Sequence, residues 1–227
     1  LHPRVRRQRQ MCIRDRIGST GSGKSTLINL IPRYYDVTKG SVKVDGVDVR
    51  DMTQKELRDK LGYVPQKGVL FSGTIDSNIR YGKPEITDAQ VKEAAEVAQA
   101  TEFIDTKPEK YESPVSQGGT NVSGGQKQRL SIARAIAKDP EIFIFDDSFS
   151  ALDFKTDSQL RKALKEYTKD ATTVIVAQRI STILGADQII VLDDGHMAGI
   201  GTHKELMANC EVYQQIARSQ LSEEELA

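Results

Sequence analysis

No apolar run in this chain is long enough to cross a bilayer. The longest, Ile142–Phe145 and Thr173–Ala177, are strand-sized, whereas a spanning helix needs ~20 residues. Cysteine is scarce. Cys12 and Cys210 cannot build a disulfide framework, and free thiols fit a reducing cytoplasm. An excess of one charge is also missing: 32 basic residues face 32 acidic ones, so no whole-chain attraction to nucleic acid is expected. Aromatic residues, 6% of the chain, do not interleave with basic ones as on a single-strand-binding surface. His2, His196 and His203 have no metal-ligand spacing with either cysteine, which argues against zinc. Repeats and low-complexity tracts are absent, apart from an acidic stretch at Glu223–Glu225 within a tail, 221–227, read as disordered.

What charge there is sits unevenly. Residues 1–16 carry six arginines against one acid, Asp15, leaving 26 basic and 31 acidic residues in the remainder. The basic start is not followed by the apolar stretch of a secretory leader. Only Ile17 in this region reads as strand. Met11–Arg16 resembles translated sequencing-adapter sequence joined to a truncated gene, so residues 1–16 are read as non-native or artefactual; the other reading is a basic arm for nucleic acid or membrane.

The next stretch is more specific. Gly18, Ser19, Thr20, Gly21, Ser22, Gly23, Lys24, Ser25 and Thr26 satisfy the phosphate-loop pattern G-x-x-x-x-G-K-[ST] at every constrained position. Its glycines let successive backbone N–H groups turn toward an anion, and a helix expected to start near Lys24 adds its positive end. Lys24 would reach the β- and γ-phosphates of a nucleotide, and Ser25 would offer a hydroxyl to Mg²⁺. A glycine-rich loop that merely contains lysine is the plainer alternative.

The pattern of the remaining chain predicts alternating strands and helices. A helix is expected from Lys24 to about Pro32, with Leu27, Leu30 and Ile31 on its buried side, then a hairpin turning at Asp45-Gly46. Thr53 and Glu56 make a capping box for a short helix, after which Leu61–Pro65 is extended. Helices are predicted over 74–81 and 87–100, the latter burying Val91, Ala94, Ala95 and Ala98, followed by a loop with Pro108, Pro114, Gly118 and Gly119. A helix from Ser123-Gly124-Gly125 to about Lys138 breaks at Asp139-Pro140, and a buried strand then delivers Asp146 and Asp147. A helix over 155–168 and strands at 172–177 and 188–192 complete the pattern. The fold class expected is α/β with a mostly parallel sheet, a truncated antiparallel β part and a helical insert; ligands in such sheets sit at the strands' carboxyl ends.

With Asn121–Arg129 in view, residues 17–220 resemble the nucleotide-binding domain of an ABC transporter of the exporter type. The motifs come in the family's order: phosphate loop, Gln66, the signature Ser123, Gly124, Gly125 and Gln126, the strand ending in Asp146, the D-loop Ser150, Ala151, Leu152 and Asp153, and the switch position Gln178. The resemblance implies a P-loop core over 17–66 and 136–220 with a helical subdomain at about 67–135. It implies ATP and Mg²⁺ as cofactors, with Ser25, Gln66 and Asp146 serving the metal. It also implies a head-to-tail partner nucleotide-binding domain whose ATP meets this signature, and transmembrane domains not in this chain, so that the domain would lie at the cytoplasmic face of the membrane. The family's adenine-stacking residue would fall upstream of the phosphate loop.

The chain departs from the family in three places, at four residues. Asp147 stands where a longer glutamate usually polarises the attacking water, and Gln178 stands where histidine is usual, so it can donate a hydrogen bond but carries no charge near pH 7. Ser116-Gln117 replaces a Gly-Glu pair before the signature. An intact phosphate loop beside altered catalytic positions Asp147 and Gln178 leads to the expectation of an ATPase slow at its own site. It would pair as the degenerate subunit of a heterodimeric multidrug or lipid exporter. Two other classes stay open: a regulatory module that senses ATP, and a soluble ABC ATPase working on DNA or ribosomes. The latter usually carries long insertions, whereas 56 residues separate Gln66 from Ser123.

Overall fold

The computed structural model describes residues 13–18, as backbone, and 21–221. In chain order the elements are β1 (Ile13–Gly18), α1 (Lys24–Ile28), β2 (Lys43–Val44), β3 (Val47–Asp48), α2 (Gln54–Asp59), β4 (Leu61–Val64), β5 (Gly73–Thr74) and α3 (Ile75–Ile79). There follow α4 (Asp88–Val97), α5 (Thr101–Asp105), β6 (Pro114–Val115), α6 (Gly124–Ala137), β7 (Ile142–Asp146) and α7 (Phe154–Tyr167). The chain closes with β8 (Thr172–Val176), β9 (Gln188–Asp193), β10 (His196–Gly201), α8 (His203–Asn209) and α9 (Glu211–Gln220). The described residues form two compact units, one from those up to 58 with 170–221, the other from 59–169. The architecture is α/β, as the strand and helix pattern predicts.

In the first unit β1 is paired on both sides and in parallel: Arg16 lies opposite Val176 of β8, and Gly18 opposite Leu192 of β9. The sequence predicts strand only at Ile17, because charged Arg14, Asp15 and Arg16 do not read as a buried strand. Ladder bonds join backbone groups, however, and two strands rich in β-branched residues offer those groups partners on either side. β10 then adds to β9 antiparallel. Its glycines hide it from a strand pattern, and one of them is required by close packing: a Cβ on Gly199 would lie 2.8 Å from Cys210 Sγ. α8 and α9 cap this unit's core, where Tyr213, Ile180, Ile183, Ile189, Val191 and Ala217 are fully buried.

α1 is shorter than expected, and its sequence gives the reason. Pro32 has no N–H to donate to the Ile28 carbonyl four residues back, so the chain tightens, with Ile31 N donating to Ile28 O, and reverses at Arg33, φ 56°. Ile28 is the residue of this helix that is fully buried, while Leu27, Leu30 and Ile31 are half-buried. The hairpin forms as predicted, with Asp45 and Gly46 both at positive φ. The Thr53–Glu56 capping box forms too: Thr53 N donates to Glu56 Oε2 and Glu56 N to Thr53 Oγ1.

The second unit is built on β4 and β7, parallel, with Leu61 opposite Ile142 and Val64 opposite Phe145. Phe143, Ile144 and Phe145 are buried, as a strand covered on both faces requires. Against it lies α6, burying Leu130, Ile132, Ala133 and Ile136. Asp139, at φ 51°, ends that helix ahead of Pro140. Gly62 is dictated by packing, since a Cβ there would come within 2.7 Å of Pro140 Cγ. α4 buries Val91, Ala94, Ala95 and Ala98 and is opened by a Thr87–Gln90 capping box. The stretch read as loop contains α5, whose Phe103 and Ile104 pack inward.

Candidate functional site

Within the first unit, Gly18 ends β1 and Lys24 opens α1, while Ser19 and Thr20 lie outside the described residues. Gly21 and Gly23 take φ of 85° and 89°, and a Cβ on either would meet nothing within 4 Å. Their backbone conformation, not crowding, calls for glycine. Lys24 is buried, and its Nζ donates to Ser22 Oγ at 3.2 Å; Ser22 is itself buried. Ser25 and Thr26 are exposed in the first turn of α1. Gln178, just past β8, is exposed. Its carbonyl accepts from Gln220 Nε2 at 2.9 Å, and Gln220 Oε1 accepts from Ile180 N at 2.8 Å, so α9 straps the chain around the switch position.

The second unit gathers most of the other predicted residues. β7 carries Asp146 at its carboxyl end, and Asp147 comes next in the left-handed region at φ 47°; both are buried. Aspartate tolerates that conformation better than most side chains. Gln66 Nε2 donates to Asp147 Oδ2 at 3.1 Å, so two residues 81 positions apart in the chain meet. Tyr63 OH donates to Asp146 Oδ2 at 3.4 Å. Ser150 Oγ donates to Asp147 O at 3.0 Å, closing the turn after the two carboxylates.

The signature forms a helix cap. Ser123 Oγ accepts from Gln126 N at 3.2 Å, and Gln126 Oε1 accepts from Ser123 N at 3.1 Å, so the serine and glutamine satisfy each other at the start of α6. Gly124 has open space where a side chain would stand, and Gly125 lies against the D-loop, its Cβ position 3.4 Å from Ala151 O and 3.8 Å from Leu152 Cδ2. Asp153 caps α7 by accepting from Thr156 N at 2.9 Å, which holds its carboxyl below the usual carboxylate range. Burial lowers the pKa of the Arg129 guanidinium, with Asp153 pulling the other way.

Sequence reasoning missed several contacts. Ser148 Oγ donates to Val64 O at 2.9 Å, and Gln128 and Arg134 on α6 bind the backbone on either side of Gln66. Gln128 lies two residues beyond the signature on an apolar helix face, and that polar intrusion was the one available sign.

Among the described residues no group of three or more His, Cys, Asp or Glu is arranged to hold a metal unaided. Mg²⁺ held mainly by phosphate oxygens and water needs only one or two protein carboxylates. In the second unit Asp146, buried at the carboxyl end of β7, is a carboxylate of the kind such an ion needs. A glycine-turned loop opening a helix, together with a buried strand that ends in paired carboxylates, defines a phosphate-loop nucleotide-binding domain.

The chain belongs to the ABC transporter family, whose model matches residues 13–150. It is 50% identical over 207 residues to an uncharacterized ABC transporter ATP-binding protein of Mycobacterium bovis, covering 90% of this chain and 35% of that protein. It is 48% identical over 200 residues to a Staphylococcus aureus protein described as a multidrug export ATP-binding/permease protein, covering 88% and 35%. Its fold matches a bacterial Atm1-family ABC exporter with ATP bound, with TM-score 0.88 and 38% identity over 93% of this chain and 37% of that one. The chain spans about a third of the length of the curated relatives it matches. Among its described residues no helix is long and apolar enough to cross a membrane.

Proposed function

We propose that this chain is the ATP-binding and ATP-hydrolysing motor domain of an ABC exporter, closing head-to-tail on a partner nucleotide-binding domain to drive substrate across the membrane. The observation that carries the reading is the Gln66–Asp147 hydrogen bond, which joins the nucleotide-sensing glutamine to the residue after the β7 carboxylate. Gly18, Ser19, Thr20, Gly21, Ser22, Gly23, Lys24, Ser25 and Thr26 would hold the phosphates. Bound Mg²⁺, on Ser25, Asp146 and Gln66, would neutralise phosphate charge. Asp147 would orient the attacking water and Gln178 would donate to the γ-phosphate. Ser123, Gly124, Gly125 and Gln126 would face the partner's ATP, with Ser150, Ala151, Leu152 and Asp153 beside them. The exporters among its relatives support this reading, and it places the domain at the cytoplasmic face of a membrane, attached through transmembrane domains.

A second reading rests on Asp147 and Gln178. Asp147 is one methylene shorter than glutamate, and a displacement of about 1 Å at such a group can cost on the order of 100-fold in rate. Gln178 cannot shuttle a proton. We infer that this site binds ATP and turns it over slowly, while the signature completes a faster site on a different partner, giving a heterodimer. At its limit this becomes a module that senses ATP.

ATPase activity of the chain alone and with its partner tests both readings. The expected result is slow turnover alone and fast turnover in the mixed complex. Fast turnover by this chain as a homodimer, abolished by Asp147→Asn, would overturn the asymmetric reading but leave the motor reading intact.

A further inference from the structure

Gln66 sits at the start of a loop that α6 grips from both sides. Pro65, the residue before it, has no N–H, so its carbonyl is the only backbone hydrogen-bonding group it offers. That carbonyl accepts from Gln128 Nε2 at 3.1 Å, and Gln128 is 1% exposed on a helix whose other buried residues, Ser131 apart, are apolar. Two residues beyond Gln66, Gly68 rests on the helix itself: a Cβ there would lie 2.8 Å from the Lys127 carbonyl carbon and oxygen and 3.0 Å from Gln128 N. One residue further, Val69 O accepts from Arg134 Nη1 at 2.9 Å. Arg134 also donates from Nε to Asn78 O at 2.7 Å and lies over the Phe71 and Tyr81 rings, so its own position is fixed.

A glutamine amide is expensive to bury in such a face unless it is used. We propose that Gln128 is a positioning residue for Gln66, tying the segment that carries it to the helix that begins at the signature. Gln128 holds the carbonyl immediately before Gln66 from the α6 side, and Ser148 holds the carbonyl one residue earlier, Val64 O, from the other side. Gln66 is then aimed at Asp147 by two tethers, one from the turn after β7 and one from α6. A shift of α6 would be transmitted to Gln66 through Gln128, and the signature and Gln66 would move as one body.

The inference rests on the ATPase reading proposed for this chain. Gln128→Met keeps the length and bulk of the side chain and removes the donor. In the full chain assembled with its partner, turnover is expected to fall roughly ten- to hundredfold, as misplacement of a positioned group does, with ATP affinity within about twofold of the unsubstituted protein because the phosphate loop is untouched. Without nucleotide, backbone amides 66–69 are expected to exchange hydrogen faster while those of β7 do not change. In a Gln66→Ala background Gln128→Met is expected to cost nothing further, since it acts through the missing side chain. Gly68→Ala attacks the same seam from the loop and is expected to give the same pattern. Unchanged turnover and exchange, or losses that multiply in the double variant, would overturn the tether alone. Absence of ATP binding and turnover in the unsubstituted complex would overturn the ATPase reading and this inference with it.

Discussion

Asp147 shows how much one residue's identity settles. It sits at φ 47°, where aspartate is more at ease than glutamate, and its shorter side chain meets Gln66 at 3.1 Å. Asp147→Glu is expected to raise turnover at this site by about 10- to 100-fold, by bringing a carboxylate within hydrogen-bond reach of the attacking water. It should also lower stability by about 1 kcal/mol, because a longer side chain is placed in left-handed backbone. A rate at or below that of the unsubstituted chain, measured in the same complex, would separate Asp147 from the slow step. Asp147 was legible from motif order because its position after the β7 aspartate is fixed by sequence alone. Tyr63 and Ser148 were not, since their hydroxyls meet Asp146 and Val64 only once β4 and β7 lie side by side.

At the scale of elements, α6 carries two tasks at its first turn. Ser123 caps the helix, and the same serine is among the residues proposed to face a partner's ATP. Aspartate caps a helix about as well as serine, so Ser123→Asp is expected to leave the stability of the fold nearly unchanged, within about 0.5 kcal/mol, while the added negative charge removes turnover in the assembled complex. Turnover unaffected by that change would leave the signature a cap and nothing more. The helix was predictable from its serine, its glycines and the break at Asp139-Pro140, since those are local steric signals. α5, β10 and the short α1 were not. α5 lies in a stretch punctuated by prolines and glycines, β10 contains glycines that pack against Cys210, and α1 ends early because a proline four residues on withholds a donor.

For the whole molecule the decisive measurement is stabilisation by ligand. Mg²⁺ and ATP binding to the folded chain alone should raise stability by about 2.7 kcal/mol at a hundredfold excess over the dissociation constant. Lys24→Ala is expected to abolish that rise, because it removes the ammonium proposed to meet the phosphates. A full ligand-induced rise in Lys24→Ala would remove the phosphate loop from the binding site. By itself the sequence determined the phosphate-loop pattern, the Ser123 cap, the paired carboxylates and the alternation of most strands and helices, with α5 and β10 as exceptions. Each is written in neighbouring residues whose backbone preferences act over one turn. Tertiary structure decided the rest: that β1 pairs in spite of its charges, that Gln66 reaches Asp147, and that Gln128 holds Pro65. Those contacts join residues 63 or more positions apart in the chain, and no local preference encodes which distant carbonyl a buried amide will find.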